Sequence, residues 1–119
     1  FDVYNWLRAR IDACLKSGIL PDKIAVDPGI GFGKADTHNM EILNRVGLFH
    51  GLGCAVAVGV SRKSFIGRIG GIETPKERLP GTIAATAIAL SRGIQIHRVH
   101  DVAAIRQAIA IWEAQYDNG

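Results

Sequence analysis

Apolar residues fall in two rhythms along this chain, and their alternation predicts the architecture. Val3, Leu7, Ile11, Cys14 and Leu15 recur at helical spacing, and Gly18 and Pro21 stop the run, which predicts a helix over about 2–16. Continuous apolar runs follow at Ile24-Ala25-Val26 and at Cys54 to Val60, and a shorter strand segment at Ile94 to Asp101. The second is rich in β-branched residues, as a strand buried on both faces requires. Between them lie amphipathic or alanine-rich stretches long enough for helices, from Thr37 to Phe49, Gly81 to Arg92 and Val102 to Tyr116. The last carries a stripe of Ala104, Ile105, Ala108, Ile109 and Trp112 opposite Arg106, Gln107 and Glu113, with Asp101 placed to cap it. A helical turn over Ser64 to Arg68 and a loop from Gly70 to Pro80 interrupt the second connection. Strands alternating with helices every 30–40 residues or so read as βα units on a parallel sheet. Such an order fits a small doubly wound sheet or an arc of a (β/α)₈ barrel, which closes only at about 250 residues.

Composition narrows the functional classes. With 119 residues, 48% of them hydrophobic, the chain forms one globular unit with no internal boundary. The net charge of +3 is mild and the basic residues have no interleaved aromatics, so nucleic acid is not indicated as a partner. No signal peptide or membrane span is evident. Cys14 and Cys54 form no C-x-x-C pair, which suits reduced thiols in a cytoplasmic protein. The chain begins at Phe1 and opens directly into a helix, which reads as part of a longer polypeptide.

The charges matter more by position than by sum. Lys34, Arg62, Lys63, Arg68, Arg98 and His100 all fall on or just after predicted strand ends, a placement that implies an anionic ligand, with solvated surface cations as the alternative. The first strand runs into Asp27-Pro28-Gly29-Ile30-Gly31-Phe32-Gly33-Lys34, where a rigidly held carboxylate meets a loop whose glycines permit close approach of a ligand. The spacing is G-x-G-x-G, which does not match the G-x-G-x-x-G of dinucleotide sites. The second strand ends in Gly59-Val60-Ser61-Arg62-Lys63-Ser64 and the third in Arg98-Val99-His100-Asp101.

These three segments, in this order and spacing, resemble the carboxy-terminal signatures of dihydropteroate synthase, the folate-pathway target of sulfonamides. Glu77 to Thr82 resembles the family's stretch before its seventh helix, so the likeness spans essentially the whole chain. The resemblance implies a partial (β/α)₈ TIM barrel, with residues 1–119 as the carboxy-terminal part of a pterin-binding barrel domain and the strands as its sixth, seventh and eighth. The implied reaction joins 6-hydroxymethyl-7,8-dihydropterin pyrophosphate to p-aminobenzoate with loss of pyrophosphate, assisted by Mg²⁺ whose ligands lie outside this chain. As small-molecule chemistry it involves no nucleic acid and no membrane, and the full-length protein is expected to be a homodimer.

Roles follow residue by residue. Asp27 would accept the pterin's parallel N–H groups on its two carboxylate oxygens, and Lys63 would donate to the 4-oxo oxygen and N5, unless it only snorkels from the rim. Gly59 would let the pterin lie against the backbone, and Phe32 would stack on it or wall the aminobenzoate site, or else cover the core. Ser64 would line the aminobenzoate pocket or cap the following helical turn. Arg98 and His100 would hold the pyrophosphate beside the last helix N-terminus, where barrels bind phosphate, with a capping role as the alternative for His100. Lys63, Arg98 and His100 are thus the expected catalytic residues. Arg62 is expected to be structural or to pair with a motif acid, and His97 to belong to the scaffold. A pterin-binding methyltransferase of the same barrel family and a non-catalytic remnant are the other readings.

Overall fold

The computed structural model describes residues 2–32 and 35–117. Helix α1 (Asp2–Lys16) leads into strand β1 (Ala25–Val26), helix α2 (Asp36–Asn44), strand β2 (Ala55–Val58), helix α3 (Ser64–Gly70), helix α4 (Leu79–Ser91), strand β3 (Ile96–His97) and helix α5 (Val102–Asp117). The strands are parallel in the spatial order β1-β2-β3, with Ala25 opposite Ala55, Val26 opposite Val56, Ala57 opposite Ile96 and Val58 opposite His97.

Because side chains alternate along a strand, this register sorts the sheet into two faces. Val26, Val56 and Val58 are buried, with α2, α3, α4 and α5 forming a connected helical layer, α4 touching the other three. Ala25, Ala55, Ala57 and Ile96 line the opposite face, where Ala25 and Ile96 are exposed. Sequential strands with one contiguous helical layer make an arc of a (β/α)₈ barrel. A doubly wound sheet carries helices on both faces. Among the described residues no helix is long and apolar enough to cross a membrane.

Three expectations need correction. The strands are shorter than their apolar runs, since each ladder pairs only two positions. The helix expected from Thr37 to Phe49 ends at Asn44, and a 3₁₀ segment takes over from Val46 to Leu52. Three residues per turn bring Val46, Phe49 and Leu52 onto one buried side, which suits a stretch weakened as an α-helix by Gly47 and Gly51. Phe49 also meets Tyr4 of α1, the ring centroids 6.0 Å apart, so this turn ties α1 to the core. Pro80 opens α4 rather than closing the preceding loop, since proline costs little in a helical first turn.

Candidate active site

Asp27, Gly59 and Arg98 each occupy the first position after a strand, and alternation turns all three toward the face away from the helices. The Arg98 N–H donates to the Val58 carbonyl at 3.0 Å, which extends the ladder past β3 and sets Arg98 beside Gly59. A Cβ at Gly59 would lie 2.5 Å from an Arg98 guanidinium nitrogen, so glycine gives the arginine its passage across the sheet. Arg98 reaches Asp27 by that route, Nη1 to Oδ2 at 3.3 Å.

The other Asp27 oxygen is held locally. Oδ1 accepts the Gly29 N–H at 2.8 Å, a turn closed by the aspartate's own side chain and made possible by Gly29 at φ 75°. The loop beyond is pinned by Asn39, whose buried side chain accepts the Gly31 N–H at 2.8 Å. Sequence reasoning missed Asn39. Its signal was an asparagine in line with Ile42 and Leu43 on the buried side of α2.

Lys63 runs its stem against Gly31, where a Cβ would meet Cδ at 2.8 Å, and sets its ammonium 3.7 Å from the centroid of the Phe32 ring. Phe32 is 64% exposed, so it does not cover the core. Phe32, Gly59, Ser61, Lys63, Arg98, Val99 and His100 together line a hollow of about 260 Å³. Asp27 borders a neighbouring hollow of about 450 Å³ with Trp6, Leu7 and Gly29, so the Arg98 side chain lies between the two. A hollow of about 440 Å³ around His97 shows that size alone does not locate the chemistry.

Ser64 stands apart. It is the first residue of α3, after Lys63 in the cap position, and faces a separate hollow with Gly67, Arg68 and Arg78. Ser64 is not the cap of α3, a position Lys63 takes, after Arg62 in the left-handed conformation at φ 57°. Lys34 and Gly33 lie outside the described residues. Arg68 is spent on Asp36, Nη2 to Oδ1 at 2.6 Å, on the exposed surface.

Arg62 pairs with a motif acid as expected. Nη2 and Nε donate to the two Asp101 oxygens at 2.8 and 3.2 Å, and these hydrogen bonds hold the Asp101 carboxyl below its ordinary range. Asp101 is therefore engaged by Arg62, while its carbonyl accepts the Ile105 N–H to begin α5. One residue earlier, Ser61 Oγ receives the His100 backbone N–H at 3.1 Å and contacts His100 Nδ1 at 2.8 Å. Ser61, nearly fully buried, was not singled out from sequence, since nothing local links it to a residue 39 positions on.

His97 points to the helical side. Its Nε2 bonds the Ile94 carbonyl at 3.0 Å, while Nδ1 is buried with no partner among the described residues, and burial pushes the ring pKa down. It is scaffold. Among the described residues no three of His, Cys, Asp and Glu gather as a metal site would require.

Comparison with known proteins sharpens this geometry. A family model described as pterin binding enzyme matches residues 2–100. The dihydropteroate synthase of Neisseria meningitidis serogroup B is 41% identical over 116 residues, covering 95% of this chain and 41% of that protein. The crystal structure of Stenotrophomonas maltophilia dihydropteroate synthase with active site-bound imidazole superposes with a TM-score of 0.94 at 41% identity, covering 97% of this chain and 43% of the other. The Xanthomonas albilineans enzyme in complex with 7,8-dihydropteroate gives a TM-score of 0.94 at 39% identity, over 97% of this chain and 44% of the other. The chain spans about two fifths of the length of these relatives.

Proposed function

The chain belongs to the pterin-binding enzyme family, and from that premise we propose that it carries the last part of a dihydropteroate synthase active site, joining 6-hydroxymethyl-7,8-dihydropterin pyrophosphate to p-aminobenzoate. The observation that carries the reading is that Lys63, Arg98 and His100 line one hollow beside the bare backbone of Gly59, with Asp27 on the adjoining hollow joined to it through Arg98. That set matches the substrate group by group. A carboxylate faces the pterin's N–H edge, an ammonium its oxygen and N5, and a guanidinium with an imidazole the pyrophosphate. The Xanthomonas relative's complex with 7,8-dihydropteroate supports a pterin-based substrate here.

Arg98 and Asp27 meet through a single contact of 3.3 Å. An arriving pterin offers Asp27 two N–H donors in place of one long contact, and Arg98 is released toward the pyrophosphate carried by the same substrate. Binding one end thereby frees the group that acts on the other. The C–O bond to pyrophosphate then breaks, the electron pair leaving with the phosphate oxygen as the dihydropterin ring delocalises the positive charge. The p-aminobenzoate nitrogen forms the new C–N bond and loses a proton to the medium. Arg98 and His100 stabilise the departing charge, Lys63 and Asp27 fix the ring, and Phe32 walls the aminobenzoate side. Ser64, on the separate hollow of Gly67 and Arg78 and next in sequence to Lys63, is proposed for the aminobenzoate side.

An ion accompanying the pyrophosphate is proposed to be held by groups outside this chain, since among the described residues no three His, Cys, Asp or Glu side chains gather. We extend the reading to a cytoplasmic, sulfonamide-sensitive homodimer, for which the free thiols of Cys14 and Cys54 suit the compartment. The pyrophosphate-binding pair Arg98 and His100 favours this over a pterin-dependent methyltransferase, which releases no pyrophosphate. The test is a chimaera in which these residues replace the matched segment of the Neisseria relative. Dihydropteroate formation is expected from the chimaera and not from the isolated chain, because catalysis in barrels draws on several strand ends. A folded chimaera that binds pterin without turnover would show a binding remnant instead.

A further inference from the structure

Two consecutive contacts staple the loop after β2 to the loop before α5, and we propose that one of them makes Ser61 a positioning residue that fixes His100 as an Nε2–H donor. The inference rests on the reading that His100 faces the leaving pyrophosphate.

The hydrogen bonds around Ser61 decide the tautomer. Its oxygen already receives the His100 backbone N–H at 3.1 Å. Ser61 is 5% exposed, and the acceptor within reach of its hydroxyl proton is His100 Nδ1 at 2.8 Å. If Nδ1 carried a hydrogen, the hydroxyl proton of this nearly fully buried serine would lose that acceptor, a costly outcome. The hydroxyl therefore donates to a bare Nδ1, and the ring proton sits on Nε2. With Nδ1 bonded to Ser61, Nε2 is the ring nitrogen left to meet a ligand, and His100 lines the same hollow as Arg98. An N–H there suits a phosphate oxygen, whereas a bare nitrogen would repel it.

The second contact keeps the geometry rigid. Arg62 holds Asp101 through two hydrogen bonds, and its left-handed backbone is fixed from both sides, its N–H on Thr82 Oγ1 at 3.1 Å and its carbonyl on Arg78 Nη1 at 3.0 Å. A non-glycine residue at φ 57° persists only where the surroundings impose it. Here the conformation keeps Ser61 inward while Arg62 reaches across to the next loop.

Imidazole ¹⁵N NMR of the chimaera with the Neisseria relative near pH 8, where an ordinary histidine is neutral, tests the assignment. The His100 ring is expected to show a bare Nδ1 and a protonated Nε2. Ser61→Thr should keep that pattern and Ser61→Ala should give a mixture of tautomers. An Nδ1-protonated parent, or a Ser61→Ala spectrum identical to the parent's, would overturn the inference. The parent spectrum decides even if Ser61→Ala fails to fold. Titration with inorganic pyrophosphate adds a separate arm, in which Ser61→Ala is expected to bind about 5- to 15-fold more weakly, the worth of one oriented hydrogen bond, and Ser61→Thr close to the parent. A parent with the expected tautomer but no pyrophosphate binding would support the assignment and overturn the functional reading instead.

Discussion

Two arginine–aspartate pairs stand within one loop of each other and are built in opposite ways. Arg62 meets Asp101 through two hydrogen bonds, with side chains 24% and 23% exposed and its backbone anchored to Thr82 and Arg78. Arg98 meets Asp27 through a single contact of 3.3 Å, with side chains 63% and 31% exposed. Bidentate, sheltered geometry gives an ion pair lasting structural weight, whereas a long, exposed pair is worth little and is readily exchanged. The same two residue types thus serve as a fixed brace in one place and as a provisional occupant of a binding site in the other. Gly59 is what allows the provisional one, since any side chain there would bar Arg98 from crossing.

The largest expected effect lies on the exchangeable pair. In a full-length relative carrying these segments, Asp27→Asn should weaken pterin binding by about 30- to 1000-fold, since a pterin donor would then face a donor in place of an acceptor. Calorimetry with hydroxymethylpterin checks this, and unchanged affinity would remove Asp27 from the pterin edge. Gly59→Ala should lower pterin affinity by about tenfold or more, the loss of roughly one good contact, while moving chain stability by no more than about 0.5 kcal/mol, because the displaced atoms are the flexible end of Arg98.

Stability should divide the pairs in the reverse sense. Arg62→Met is expected to lower the Tm of the chain clearly, since Asp101 loses its partner and the left-handed turn its reach, and Arg98→Met to leave it nearly unchanged. A thermal melt of both variants checks the contrast, and equal losses would erase it.

Acid should act in two smaller steps. Burial lowers the His97 pKa in the folded chain, so its stabilising contribution is full above about pH 6.5 and is lost as pH falls through the depressed folded value. The hydrogen bonds from Arg62 lower the Asp101 pKa, so that contribution is full above about pH 3.9 and is lost as pH falls through its own folded value. Melts from pH 8 downward should show the first step vanish in His97→Gln and the second in Arg62→Met.

The strand-end chemistry was legible in the sequence because each strand announces itself as an apolar run that stops at a charged or glycine-rich segment. Asp27, Gly59 and Arg98 follow directly from that pattern. The 3₁₀ turn from Val46 to Leu52 was not legible as such, because apolar residues three apart also fit the face of a longer α-helix. That Lys63 and not Ser64 sits at the cap of α3 was not legible either, because one left-handed residue, Arg62, resets the direction of the chain just before it. Ser61 was invisible for a different reason. Its partner is set by the register of β2 against β3, a relation between distant segments that no local pattern encodes.

The central claim is that Arg98 holds the place of a ligand on Asp27 and belongs to the pyrophosphate once pterin arrives. Calorimetry of Arg98→Met in a full-length relative, with bare hydroxymethylpterin and with its pyrophosphate ester, tests it most directly. The account predicts that the bare pterin binds as tightly as to the parent, or slightly tighter, while the ester loses about tenfold or more, the worth of a charge-assisted contact. Equal losses for both ligands would contradict it.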